Sequence, residues 1–413
     1  MTKNILISGA SIAGPALAYW LREHGYTVTV VERSPQPRPG GYKIDVRGRA
    51  MEVLTRMGIA DEVRQHHTDM RGGSFLDRKG RSVVEMDADT VGFREPTDVE
   101  ILRGDLARIL LAATEGVEYV YGDSITSLTE DAAGVTVTFE RSLPRRFDLV
   151  VGADGLHSTV RALAFGPEER FLRSLGHYVA IFSVPNMLDL DRWEAIQAEK
   201  GRTLNVYSTK QDSQAKAAFL FASPELSYDR RDTARQQQML AEVFAPHGWI
   251  APQLLAAMPA SPDFYFDGMS VVEMERWSTG RVALVGDAAY GPSPASGQGT
   301  SLALVGAYVL ACELAAADGD HEAAFAAYEE RMRHFVTVNQ KQASNIKRMV
   351  AGSRFTLWLN RTMMRLMPYL PGTAKIMEKV RAEIRDVSNA VELPETRPEI
   401  RSELRAEAVR NAS

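Results

Sequence analysis

A single cysteine, Cys312, stands in 413 residues, so no intrachain disulfide can form and a reducing, cytoplasmic setting is expected. Its surroundings are those of an apolar helix, which makes it a buried bystander. No uninterrupted apolar stretch looks long enough to span a bilayer, and the chain enters a strand within a few residues with no signal peptide ahead of it. A soluble protein without a membrane partner is expected. Basic excess is also missing: the formal charge is -5 and the pI near 6.0, whereas nucleic-acid partners require concentrated positive surface. Several catalytic signatures are absent as well. There is no Gly-x-Ser-x-Gly elbow, no His-Glu-x-x-His, no cysteine cluster and no Walker loop. A side-chain nucleophile, a metal site and a P-loop are therefore not expected.

What is present is ordinary in bulk, with 45% hydrophobic and 24% charged residues, and long enough for two domains. Asn4 to Ser8, Ala13 to His24 and Thr27 to Val31 read as a βαβ unit. A helix from Gly48 to Met57 follows, then an antiparallel ribbon from Gly72 to Met86 and a helix from Leu102 to Ala113. Val117 to Val120, Ile125 to Glu130 and Val135 to Glu140 read as a meander. Phe147 to Val151 is a buried parallel strand ending at Gly152-Ala153-Asp154-Gly155. From His177 to Met274, alternating aromatic and β-branched runs surround one helix near Thr233 to Phe244, the texture of an inserted antiparallel domain. Arg281 to Val285 returns to the first fold, His321 to Val350 forms an amphipathic helix, and Phe355 to Ile384 is Met-rich and interrupted at Pro368 and Pro371. The expected fold class is α/β, a Rossmann-like dinucleotide-binding domain with an inserted, mostly antiparallel β-sheet substrate domain and C-terminal helices. The expected nucleotide-domain parts are 1–71, 101–173 and 276–350, the inserted parts 72–100 and 174–275, and the helical end 351–413.

Two local patterns carry the chemistry. Gly9-Ala10-Ser11-Ile12-Ala13-Gly14 follows a strand and opens a helix, where backbone N–H groups can approach a pyrophosphate. Ser11 occupies the usual middle-glycine position. Glu32, at the end of the second strand, sits where a carboxylate accepts hydrogen bonds from an adenosine ribose and repels a 2′-phosphate, which suits FAD or NAD. The second pattern is Val282 to Gly299. A strand runs into Gly286-Asp287, a turn containing Pro292 and Pro294 follows, and Gly297, Gln298 and Gly299 open a long apolar helix near Thr300. The unpaired N–H groups of that start favour an anion, and a reduced flavin is anionic around N1 and the C2 carbonyl. FAD is the expected cofactor.

Arg103, in Ile101-Leu102-Arg103-Gly104-Asp105-Leu106, completes an ordered set with the glycine turn, Glu32, the Asp154 motif with Arg161, and the Asp287 to Gly299 run. Over roughly residues 1 to 350 this set resembles the single-component FAD-dependent aromatic hydroxylases, the group A flavoprotein monooxygenases. Gly40-Gly41-Tyr42-Lys43-Ile44-Asp45 is similar to the branch that inactivates tetracyclines and hydroxylates polyketides. By position, the resemblance implies that Glu32 and Arg33 hold the adenosine end and that Asp45 and Arg103 contact FAD. It places Asp287 on the ribityl chain and the helix start of Gly297, Gly299 and Thr300 against the isoalloxazine, with Pro294 a further cofactor-binding candidate. Arg38 matches a basic position where NADPH or NADH docks transiently, with a solvated loop arginine as the alternative. Asp154 is linked to both nucleotides, or is a strand-end turn carboxylate. Tyr290 departs from the histidine common at its position.

The implied chemistry is reduction of FAD by NAD(P)H, addition of O2 at C4a, and oxygen transfer from the resulting C4a-hydroperoxyflavin to a phenolic or polycyclic aromatic substrate. Such chemistry needs a dry site, so the inserted domain is expected to form an apolar lid. His177, Phe182, Tyr207, Phe219 and Phe221 are pocket candidates, with ordinary sheet core as the alternative for the aromatics. Met363, Met364 and Met367 are expected to pack between domains rather than rest on a membrane. A reductase of the same fold, acting for example on isoprenoid double bonds, and a non-catalytic binding protein remain the rival readings. A halogenase is disfavoured by the lack of Trp-x-Trp-x-Ile-Pro. Monomer and homodimer both remain open.

Overall fold

The computed structural model describes residues 3–37, 41–210, 214–366 and 373–395. Arg38, Gly40, Met367, Pro368 and Pro371 lie outside the described residues. The chain opens with β1 (Asn4–Ser8), α1 (Ala13–Glu23), β2 (Thr27–Glu32), β3 (Lys43–Val46), α2 (Arg49–Arg56) and α3 (Ala60–Gln65). It continues through β4 (Gly72–Leu76), β5 (Ser82–Asp87), α4 (Ala88–Gly92), β6 (Val99–Leu102), α5 (Arg103–Ala112) and β7 (Glu118–Tyr121). Next come β8 (Ile125–Asp131), β9 (Gly134–Phe139), β10 (Arg145–Phe147), β11 (Leu149–Gly152) and α6 (Thr159–Phe165). The inserted sheet uses β12 (Leu172–Val184), β13 (Trp193–Glu199), β14 (Arg202–Ser208), β15 (Ala215–Ala222) and β16 (Tyr265–Val272), with α7 (Thr233–Phe244) and α8 (Ala251–Ala257) before the last strand. The chain then runs β17 (Ser278–Thr279), β18 (Val282–Leu284), α9 (Asp287–Tyr290), α10 (Gly299–Ala316), α11 (His321–Lys341), α12 (Ile346–Met349), α13 (Arg354–Leu366) and α14 (Thr373–Ser388).

The nucleotide-type sheet has the order β17-β18-β11-β1-β2-β7. β18, β11, β1, β2 and β7 are parallel, and both faces are covered, as continuous apolar strands require. β7 therefore corrects the expected meander: it joins β2 in this sheet, while only β8, β9 and β10 form a separate antiparallel one. A four-residue strand carries no information on its partner, and the crossover through α5 delivers it in the parallel sense.

The second sheet has the order β16-β12-β15-β14-β13-β4-β5. The early β4–β5 ribbon thus extends a sheet built almost entirely from residues beyond 170, with β4 parallel to β13 and the other pairings antiparallel. The expected single helix of this region is joined by α8. The expected helix over 321–350 ends at Lys341, followed by a 3-10 turn and the short α12.

α10 lies at the centre, packed against α1, α2 and α11. It corrects the expectation about apolar length: it is apolar enough over 18 residues to cross a bilayer, yet 83% of it is buried inside the fold. Core burial accounts for an all-round apolar helix as well as lipid does. Tyr290 is sealed against it, because a Cβ on Gly306 would sit 1.9 Å from the Tyr290 hydroxyl. That hydroxyl accepts from Tyr328 at 3.0 Å, and the ring meets Trp277 at 4.7 Å, so Tyr290 is a core group.

Candidate active site

The glycine turn is dictated by space. Gly9 has φ +108°, and a Cβ there would lie 2.5 Å from the Ala153 carbonyl oxygen; one on Gly14 would lie 1.9 Å from the Gly9 carbonyl oxygen. Only glycine satisfies both. α1 then starts with Ile12 at the N-cap, no capping side chain and no acidic residue in its first turn. Ile12 and Ala13 are buried, leaving backbone amides as the polar groups of this helix start. Glu32 is fixed beside the turn, one oxygen accepting from the Ala10 N–H at 2.9 Å and the other from Ser34 at 2.8 Å. Arg33 next to it is exposed.

Ser11 does more than tolerate the glycine position. Its Oγ accepts from Arg103 Nη2 at 2.8 Å across 92 residues of sequence. Arg103 is set by the β3–β6 pair, its N–H donating to the Tyr42 carbonyl at 3.0 Å. Gly41 lies against its side chain, where a Cβ would come within 3.3 Å of Arg103 Cβ.

Asp287 follows β18 after Gly286, whose φ is +67°. Protein surrounds it, yet its side chain is exposed to open space. Those two facts together describe a carboxylate at the floor of a cleft. Burial raises its pKa, and Arg103 opposes that rise. Fully buried Arg161 ties the neighbouring motifs together, donating to the Ala288 carbonyl at 2.9 Å and the Leu156 carbonyl at 2.6 Å. Beyond it, Ser293 holds a positive φ of 69° and begins the turn containing Pro294. A non-glycine residue in that region stores backbone strain. Pro294 and Gly297 are exposed, Gly299 and Thr300 half-buried. Gln298, the N-cap of α10, makes no side-chain cap, and the first turn has no acid. Its amide instead donates to Ser388 Oγ at 2.9 Å, so the end of α14 holds this turn.

These features fit a flavin dinucleotide. The two bare helix starts offer N–H groups to a pyrophosphate and to the flavin's anionic edge, and the crowded glycines allow close backbone approach. Glu32 and Asp287 are carboxylates, the acceptor chemistry that ribose and ribityl hydroxyls call for.

Two acidic candidates are already engaged. Asp154 accepts from the Thr159 and Val160 amides at 2.8 and 3.2 Å and from Ser158 Oγ, and it also faces Ser8 Oγ at 3.4 Å. Burial raises its pKa against those bonds. It accepts the first amides of α6, whose N-cap is Ser158, while fastening that turn to the end of β1. Asp45 pairs with Arg47 at 2.8 Å and Arg94 at 3.5 Å. Burial opposes its ionisation, but the two guanidinium groups outweigh it and hold the carboxyl low.

The pocket candidates divide by strand parity. Phe182, Phe219 and Phe221 are fully buried with Tyr178, Leu240, Phe244 and Leu254 under α7 and α8. Phe182 and Phe219 stack at 5.4 Å, and this face is closed. These three are sheet core, and parity turns them away from the cleft. The opposite face carries Val179, Ile181, Ala218, Leu220, Met269 and Tyr265, packed towards Ala295 in the Pro294 turn. Tyr207 shares that face; its hydroxyl accepts from the Lys43 N–H at 3.2 Å, and the Lys43 ammonium sits 5.0 Å from its ring centroid. Burial works against the Lys43 charge, but Glu100 and Glu194 keep it protonated. His177 uses Nδ1 on the Leu175 carbonyl at 2.6 Å. Sequence reading missed Tyr42 and Tyr265, whose rings meet at 6.0 Å beside Arg103 and Asp287.

The fold and these residues define a nucleotide-binding protein of the flavoprotein class. The chain matches the FAD binding domain family over residues 2–343, and it belongs to that family of FAD-dependent oxidoreductases. A flavin-dependent monooxygenase from an unidentified prokaryote is 42% identical over 395 residues, covering 95% of this chain and 99% of that protein. An uncharacterised Mycobacterium tuberculosis protein is 51% identical over 341 residues, covering 82% and 92% respectively. Among solved structures, the tetracycline destructase Tet(55) superposes with a TM-score of 0.82 at 40% identity, covering 96% of this chain and 99% of that one.

Proposed function

We propose that this enzyme is an FAD-dependent, NAD(P)H-consuming monooxygenase whose substrate is a polycyclic aromatic compound of the tetracycline or polyketide type. What supports the substrate class is the likeness to the tetracycline destructase Tet(55) over nearly the whole chain, together with the exposed Pro294 turn and uncapped start of α10 lying beside the Val179, Leu220 and Met269 face of the second sheet. A broad, flat aromatic molecule would lie over that helix start, with the rings of Tyr42 and Tyr265 beside it for orientation.

FAD, when bound, supplies the electron transfer and oxygen activation; the chain's own residues bind, orient and exclude water. Gly9 to Gly14 and Glu32 would hold the adenosine diphosphate half, with Arg33 beside it. Arg103 and Asp287 would bind the ribityl segment, and the N–H groups of Gly297 to Thr300 would stabilise negative charge on the reduced ring system. Asp45 serves this site through Arg47 and Arg94, and Asp154 through the geometry of the β1 and α6 ends. Arg38 is the proposed contact for NAD(P)H. His177 is proposed only as a rim residue of the substrate face.

The test is NAD(P)H and oxygen consumption by FAD-loaded protein against a panel of phenols and tetracyclines, with product mass recorded. Acceleration by a polycyclic compound that gains one oxygen atom supports the reading. Anaerobic turnover giving a reduced product would replace it with the reductase reading.

A further inference from the structure

A chain of hydrogen bonds unused by cofactor binding runs between the cleft and the surface. The Tyr265 hydroxyl donates to Asp267 Oδ2 at 3.3 Å. Both Asp267 oxygens lie 3.1 Å from His157 Nε2, and His157 Nδ1 lies 2.9 Å from Glu168 Oε2. Glu168 reaches the surface with Arg230 at 3.1 Å. Side-chain exposure falls in the same order, 25% for Glu168, 22% for His157 and 12% for Asp267. At the inner end Tyr265 packs against Tyr42 and senses Arg103 and Asp287.

A neutral imidazole has one N–H and one lone pair. Between two carboxylates, both ring nitrogens are satisfied only when one additional proton resides on the ring, on Asp267 or on Glu168. The arrangement therefore holds a proton that can occupy any of three adjacent groups. We propose that Glu168, His157, Asp267 and Tyr265 form a proton-transfer path from solvent to the cofactor cleft. The proposal rests on the monooxygenase reading. That reaction is NAD(P)H + H+ + O2 + R–H → NAD(P)+ + R–OH + H2O, and it consumes one proton. Each step along the path moves only a proton. Tyr265 releases its O–H proton to the oxygen that leaves as water, Asp267 reprotonates Tyr265, His157 reprotonates Asp267, and solvent restores the ring beside Glu168.

The surroundings support proton storage. Burial pushes the Asp267 carboxyl up to about 6, opposed by the Gly268 amide, Tyr265 and Arg230. Burial also raises Glu168, with Arg161 opposing and Asp267 reinforcing the rise. The other groups facing this cluster are Tyr228 from the segment before α7 and Arg33 after β2.

The experiment uses FAD-loaded full-length protein. His157→Gln keeps polar contacts at both ends but cannot relay a proton. It should slow NAD(P)H-driven oxygen consumption by roughly 10²-fold with FAD content unchanged, and added imidazole should restore rate in proportion to its protonated form. Histidine NMR on the same loaded protein supplies a readout independent of turnover: Asp267→Asn should lower the His157 titration midpoint, because a neighbouring negative charge is removed. Wild-type turnover in His157→Gln, a loss that imidazole leaves untouched, or an unmoved midpoint would overturn the path. Should His157→Gln fail to fold, Tyr265→Phe, which keeps the ring, must show the same loss without imidazole rescue, and wild-type turnover in it would equally overturn the path. Flavin-free protein in both wild type and variants would instead contradict the monooxygenase reading itself.

Discussion

The two faces of the seven-stranded sheet are made from alternating residues of the same strands, yet they do different work. Under α7 and α8, Phe182, Phe219, Phe221 and Phe244 close into a stacked aromatic core. On the other face smaller aliphatic groups and tyrosines look towards the Pro294 turn and the start of α10. The large aromatic residues maximise burial under the helices, and the smaller set packs with Ala295, Ile346 and Val350 beside the Pro294 turn. Aromatic size therefore marks the scaffold here, and distance from the covering helices marks the site.

This contrast can be broken by substitutions on either side. Phe219→Ala should have the largest effect, destabilising the fold by about 3–5 kcal/mol while leaving the FAD dissociation constant unchanged; urea unfolding alongside flavin titration checks both halves. Asp287→Ala should do the reverse, weakening FAD by about 2 kcal/mol, the worth of hydrogen bonds to a charged acceptor, with little change in urea midpoint. Unchanged affinity in equilibrium dialysis would remove Asp287 from the cofactor site. Thr300→Asp should weaken FAD by about 1 kcal/mol, since a carboxylate in the first turn competes with an anionic ligand for the helix dipole. Salt should reduce that difference.

The smallest effect is on pH dependence. Because burial raises the Asp267 pKa to about 6, its contribution to stability is fully present below its unfolded value and is lost as pH rises through about 6. Denaturation midpoints measured from pH 4 to pH 8 should therefore fall less in Asp267→Asn than in the wild type.

Much of the fold was legible because its signals are local. The Gly9 to Gly14 turn, Glu32 at a strand end, and the Gly286 to Gly299 run each follow from backbone needs that a short sequence declares. Parity along β12 and β15 was also visible as alternation. Which parity faces the cleft was not, because that depends on where α7 and α8 fold back. Phe182, Phe219 and Phe221 were attractive pocket candidates for their size, and size is what sends them under the helices. Long-range pairings were equally hidden: Ser11 with Arg103, β7 with β2, Gln298 with Ser388, and Asp267 with His157 are joined only by the tertiary structure. Asp45 and Asp154 were proposed from sequence as cofactor contacts, and their immediate partners in the fold are arginines and amides of the protein itself.

The central claim is that oxygen from O2 reaches an aromatic substrate in this cleft. Turnover of FAD-loaded enzyme with NAD(P)H and a polycyclic substrate under isotopically heavy O2, followed by product mass spectrometry, tests it most directly. The account predicts one heavy oxygen atom in the product and none when heavy label is supplied only as water. A product labelled from water, or one formed without O2, would contradict it.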